Sequence, residues 1–222
     1  MPPHRSVWLA TTEVPSFPAL TDDIDVDVVV VGGGITGLTT AIMLQRAGRS
    51  VAVLEARTIA AGSTGNTTGK VTSQHGLRYA QLISQRGEAA ARAYAEANEA
   101  AIDVVEQLAE ETGADSRFTR APAYVYTLDP ARRHDIEEEH AAAVRLGLPA
   151  TLTADTDLPF PVELALRFDD QAHIHAGGHA AGLARAGAAR GGFVHDGTRA
   201  TKLAERDGRI VGHITSGAYG HT

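Results

Sequence analysis

Cysteine is absent from all 222 residues. Its absence excludes disulfides, thiolate zinc sites, a catalytic cysteine and iron–sulfur ligation from this chain. Lysine is nearly absent as well: Lys70 and Lys202 stand alone among scattered arginines, and the net charge is −7. That balance argues against the clustered positive surface that phosphate backbones require, so nucleic acid is not an expected partner. No apolar run approaches the roughly eighteen residues of a membrane-spanning helix. The opening segment carries Pro2, Pro3, Glu13, Pro15, Pro18, Asp22 and Asp23 where an export signal would place basic and then apolar residues. No membrane or export signal is expected, and the expected compartment is the cytoplasm. What the chain does have is 43% apolar residues, enough for the core of one large or two small domains.

Residues 1–24 are proline-rich and aperiodic, which predicts an extended surface leader rather than a domain. Val26-Asp27-Val28-Val29-Val30-Val31 is β-branched and almost wholly apolar, the pattern of a central parallel strand covered on both faces. From Ile35 to Ala47 the apolar residues recur at helical spacing and Gly48 sits where a helix would end. A second strand over 50–55 completes a βαβ unit. Residues 58–75 form a long stretch of small and hydroxyl residues, expected to be a loop that is either functional or disordered. Helices are predicted over 77–86, 87–111 and 131–146, and strands over 122–128 and 164–168, an α+β block. Residues 176–190 predict a further helix and 192–195 a short strand. Asp207-Gly208, between 201–204 and 210–214, reads as the turn of a closing hairpin.

The chemistry is carried by Gly32, Gly34 and Gly37, which form G-x-G-x-x-G directly after the first strand and at the opening of the helix. The first glycine permits the tight turn, the second lets a pyrophosphate approach the backbone, and the third lets helix and strand pack closely. The helix start, with Ile35 and Thr36, offers N–H groups and the positive end of the helix dipole. Glu55 ends the second strand, where its carboxylate can accept hydrogen bonds from ribose hydroxyls. A 2′-phosphate would be repelled there, which disfavours NADP, while NAD and FAD both fit.

The run from Asp25 to His75, with V-V-G-G-G-I-T-G-L, L-E-A-R and G-S-T-G-N-T-T-G-K-V-T-S-Q-H-G, resembles the FAD-dependent oxidoreductases of the D-amino-acid oxidase type. Their branch nearest to this chain often carries a C-terminal Rieske domain. The likeness continues through Arg167-Phe168-Asp169-Asp170-Gln171-Ala172-His173-Ile174-His175 to about Val211. It implies an α/β fold: a Rossmann-type FAD-binding domain over 25–75 and 176–222, with a partial substrate or cap domain over 76–175. It implies FAD as cofactor, held by Gly32, Gly34, Ile35, Thr36, Gly37, Glu55, Ala56, Arg57, Ser63, Thr64, Asn66, Thr67, Thr68 and Lys70. It also implies oxidation of an amine or amino acid by hydride transfer to flavin, with Lys70 as a cation that would favour the anionic reduced ring.

Family members are longer, continuing past the hairpin into a further Rossmann strand and the rest of the substrate domain. The chain is therefore expected to be truncated, lacking a C-terminal half or a partner chain that supplies it, and to lack a Rieske module. Alternatives are a non-catalytic nucleotide-binding fragment, a fragment that needs its missing half to fold, and an NAD-binding protein. No catalytic residue is assigned. His173, His175 and His179 cross a predicted strand-to-helix junction and are not expected to bind metal. Asp169 and Asp170 are expected to cap a turn, and Glu137-Glu138-Glu139 to form a solvated helix face.

Overall fold

The computed structural model describes residues 5–216, so the ends of the expected leader (1–4) and of the closing segment (217–222) lie outside the described residues. In chain order the helices are α1 (Val7–Ala10), α2 (Ile35–Arg46), α3 (Tyr79–Arg86), α4 (Glu88–Thr112), α5 (Arg133–Arg145) and α6 (Ala176–Ala189). The first strands are β1 (Val28–Val31), β2 (Val51–Leu54), β3 (Lys70–Val71), β4 (Thr119–Arg120), β5 (Ala123–Thr127) and β6 (Ala150–Thr153). They are followed by β7 (Leu164–Phe168), β8 (Ala172–His173), β9 (Phe193–His195), β10 (Thr198–Arg206) and β11 (Arg209–Ser216). The chain divides into two compact units. The first takes in the chain up to residue 68, residues 108–117 and the chain from 175 onward; the second takes in 69–107 and 118–174.

In the first unit β1, β2 and β9 form a parallel sheet with β2 in the centre; Val28 pairs with Val51 and Val31 with Leu54. All four residues of β2 are buried, as a central parallel strand demands. β1 departs from the expected double burial. It is an edge strand among the described residues, and Val29 and Val31 are 46% and 59% exposed. The reason is that it has one strand neighbour and only its Val28 and Val30 side is partly covered. Leu38, Ala41 and Ile42 form the buried stripe of α2. Helix α6, built largely of alanine and glycine, can lie almost against backbone: a Cβ added at Gly182 would come within 2.3 Å of the Ala114 side chain, and one at Gly178 within 2.0 Å of the Asp115 carbonyl oxygen. This packing draws residues 108–117 into the first unit, away from the α+β block to which the sequence pattern assigns them. The hairpin β10–β11 turns at Asp207 (φ +52°) and Gly208 (φ +74°), the two positive angles a tight twisted hairpin needs.

The leader is also more structured than expected. Residues 7–10 form α1, with Ser6 capping it through the Leu9 N–H.

The second unit contains two antiparallel sheets, β3-β8-β4 and β5-β7-β6. β3 pairs with β8, so the chain crosses into this unit after Thr68 and not after residue 75. Tyr79, Ile136, Leu146, Leu164, Leu166 and Phe168 are central to its core. One expectation is overturned here. Glu139 is 1% exposed and caps α3 from a distance: Oε1 accepts from the Arg78 and Tyr79 N–H groups at 2.7 and 2.6 Å, and Oε2 from Ala80 N–H at 2.9 Å. A carboxylate satisfies the orphan donors and the positive dipole end of a helix start, which is why burial is tolerated. Only Glu137 and Glu138 lie exposed as expected. Asp170 takes a left-handed backbone (φ +58°), while Asp169 Oδ1 accepts from Arg167 Nε at 2.8 Å.

Candidate functional site

The glycine-rich turn connects β1 to α2. Gly32 has φ +112°, a conformation that L side chains rarely adopt, and its N–H donates to Leu54 O at 2.8 Å. A Cβ at Gly37 would lie 2.1 Å from Gly32 O and 3.2 Å from Val30 Cγ1, so only glycine lets the helix start sit on the strand end. Apart from its neighbours in the chain and its own helix, a Cβ at Gly34 would meet one atom within 4 Å, Thr64 Oγ1 at 3.1 Å. The space over the start of α2 is thus open except for that hydroxyl.

Thr64 has a specific task in this geometry. Gly34, at the N-cap of α2, has no side chain to cap with, and Thr64 Oγ1 accepts the Ile35 N–H at 3.0 Å in its stead. A hydroxyl from a distant loop therefore occupies the position where a helix start would hold a phosphate oxygen. Glu55 follows β2 and its two carboxylate oxygens accept from Gly33 N–H and Arg57 N–H, both at 2.8 Å. Each carboxylate oxygen retains a second lone pair for a ribose hydroxyl. Glu55 is also tied to the β9–β10 turn: its N–H donates to His195 O at 2.8 Å and its carbonyl accepts from Thr198 N–H at 2.9 Å.

The loop after Glu55 is ordered and not merely polar. Ala60, buried, holds a left-handed φ of +61°, with its N–H on Gly33 O at 3.0 Å and its carbonyl accepting Gly65 N–H at 2.9 Å. A non-glycine residue in this region stores strain that its surroundings must over-determine. Thr64–Asn66 form a 3-10 turn, with Asn66 Nδ2 donating to Gly62 O at 2.9 Å. Ser63, Asn66, Thr67 and Thr68 are exposed, as are Thr36 and Arg57, while Ala56 is half-buried. The residues from Gly32 to Thr68 singled out by the sequence thus share the first unit, whereas Lys70 opens β3 of the second unit.

Sequence reasoning passed over Gly33, whose N–H holds Glu55 and whose Cβ position lies 2.6 Å from Ile59 Cδ1; the run of three glycines was its visible signal. The three histidines have separate settings. His175 caps α6, its Nδ1 accepting Gly178 N–H at 3.1 Å, which leaves Nε2 to donate to Thr11 Oγ1 at 2.8 Å. His179 is fully buried, and burial alone pulls its imidazole down to about 4. His173 lies exposed in the second unit. Among the described residues no group of His, Asp and Glu is arranged to hold a metal ion, and no helix is long and apolar enough to cross a membrane. Asp196, beside His195, is raised above the ordinary carboxyl range by burial, with Phe17 N–H opposing the rise.

The chain is 39% identical over 171 residues to the "Putative Rieske 2Fe-2S iron-sulfur protein YhfW" of Bacillus subtilis, which covers 77% of this chain and 34% of that protein. In fold it resembles the L-amino acid deaminase of Proteus myxofaciens (TM-score 0.74, 18% identity, 96% of this chain and 47% of the deaminase). It also resembles glycine oxidase of Geobacillus kaustophilus (TM-score 0.69, 21% identity, 86% of this chain and 51% of the oxidase). The chain spans a third to a half of the length of these relatives. The model of the FAD dependent oxidoreductase family (DAO) matches residues 27–222, and this chain, with its glycine-turn, helix and acidic strand end, belongs to that family.

Proposed function

We propose that the first unit holds the ADP half of FAD and that the complete fold oxidises an amine or amino acid by hydride transfer to the flavin. The observation that carries the reading is the cradle at the start of α2: an open approach over Gly34, first-turn N–H groups, and the Glu55 carboxylate fixed by Gly33 and Arg57. In this reading the pyrophosphate lies over Gly34, Ile35 and Thr36, displacing or joining the Thr64 hydroxyl. The Glu55 carboxylate takes the adenosine ribose and excludes a 2′-phosphate by charge repulsion. Ala56, Arg57, Ser63, Asn66, Thr67 and Thr68 line the cofactor's path. Bound FAD supplies the two-electron acceptor for the substrate's α C–H bond. The residues on this chain orient it and shield its phosphates. The first unit acts as the FAD-binding domain and the second as part of a substrate domain, and a cytoplasmic location is included on the support of the cysteine-free composition.

A second reading has its own support. The chain spans about half of the structures it resembles, and β1 presents an open edge among the described residues. A nucleotide-binding module that turns over only when a partner chain or C-terminal half completes it fits both facts. Titration of the purified chain with FAD, NAD and NADP separates the readings. FAD binding with slow or no reduction by amines supports the module, and FAD binding with reduction supports the enzyme. Gly34→Val should nearly abolish FAD binding with the fold kept. Glu55→Ala should weaken it about tenfold or more, the worth of a charge-assisted hydrogen bond. Wild-type affinity in both variants would move the ADP site elsewhere.

A further inference from the structure

The segment before β1 is bound to the same loop that caps α2. Ser6 Oγ donates to Gly65 O, and Trp8 Nε1 donates to Thr67 O at 2.6 Å. Leu9 lies so close beneath the loop that a Cβ at Gly65 would come within 2.9 Å of its methyl carbons and 2.4 Å of Ala60 O. Next along the segment, Thr11 Oγ1 accepts the His175 Nε2 hydrogen bond and donates to Val7 O at 2.6 Å, while the Trp8 ring meets His175 edge-on with centroids 5.0 Å apart. Further on, Phe17 N–H reaches both Asp196 oxygens at 3.1 Å, Leu20 N–H reaches Thr198 Oγ1 at 3.0 Å, and His195 Nδ1 donates to Pro18 O at 2.8 Å. The segment thus grips two places that each touch the cradle: the 62–67 loop, through Thr64 to Ile35, and the 195–198 turn, through the backbone of Glu55.

We propose that residues 5–20 are a strap that positions the cofactor-binding loop, with Ser6 and Trp8 as positioning residues that hold Thr64 at the start of α2. This rests on the reading of the cradle as a dinucleotide site. A loop held only by its own strained turn at Ala60 would sample other conformations, and each costs the ligand the price of reselecting the competent one. Because coupling between sites is reciprocal, dinucleotide binding must tighten the strap as much as the strap tightens binding.

Trp8 is the only tryptophan in the chain, so its emission reports on the strap alone. ADP, which does not quench by energy transfer as a flavin would, should change that emission with the same half-saturation found by calorimetry. FAD should slow chymotryptic cleavage within residues 5–20 of the wild-type chain, a measurement that needs no variant. Ser6→Ala and Trp8→Phe, screened for folding by circular dichroism, should each raise the FAD Kd about three- to tenfold, the range expected for one lost hydrogen bond. If the wild type binds FAD, yet both variants bind it equally well and cleavage of the strap ignores FAD, the strap proposal is overturned and the dinucleotide reading stands. If the wild type binds neither FAD nor ADP, the dinucleotide reading falls and the strap falls with it.

Discussion

His179 sits in α6 with no exposed surface and with neither ring nitrogen hydrogen bonded. A buried polar group without a partner costs about 1 to 3 kcal/mol, and charging it costs more, which is why its imidazole titrates near 4 and not at the ordinary 6.5. The sign follows from linkage. The unfolded chain takes up the proton first as pH falls, so the neutral ring's contribution is intact above about 6.5 and lost as pH drops toward about 4, at up to about 1.4 kcal/mol per unit. His179→Leu, similar in volume and without polar atoms, should be more stable than wild type and should flatten the loss of stability between pH 6.5 and 5. Urea midpoints of both proteins across that range check it; parallel curves would mean that His179 finds a partner in solution.

At the scale of elements, the capping of α2 and α3 shows that a helix start can be completed by a residue far away in sequence. Arg78, at the N-cap of α3, makes no side-chain cap of its own, and Glu139 on α5 provides both carboxylate oxygens in its place. The same contact fastens α3 to α5. Glu139→Ala should cost about 2 to 3 kcal/mol, combining lost charge-assisted hydrogen bonds with orphaned helix donors. Glu138→Ala, on the exposed side of the same run, should lie within about 0.5 kcal/mol of wild type. Denaturant unfolding of the pair gives the contrast, and hydrogen exchange at residues 79–82 should accelerate in the first variant only. Equal costs would mean that the run is a solvated face after all.

For the molecule as a whole, the open edge of β1 is the main liability. Its exposed valines alternate with half-buried ones along a strand whose outer backbone groups have no strand partner among the described residues, and such an edge invites pairing with another chain. Val29→Lys places a charge on that edge away from the glycine turn. It should reduce concentration-dependent association, read by light scattering, and leave FAD affinity unchanged. A wild type that stays monomeric at high concentration, matched by the variant, would show that the edge is not sticky.

The sequence by itself determined the elements whose signals are local. The β1–α2–β2 unit was legible because burial period, glycine turn and helix end all fall within a few residues of each other, and the hairpin because Asp207-Gly208 satisfies a backbone demand on the spot. The glycine requirement at Gly32 and Gly37 likewise follows from the turn itself. Only the tertiary structure decided what depends on partners distant in the chain. Strands as short as β3, β4 and β8 exist because each pairs across more than forty residues, α1 and the strap because Gly65, Thr67 and His175 hold them, and the burial of Glu139 because α3 needs its charge. Thr64 is the clearest case. Its sequence neighbours mark it as one hydroxyl in a polar loop, and what makes it the cap of α2 is the fold's delivery of its Oγ1 to the Ile35 N–H, twenty-nine positions away.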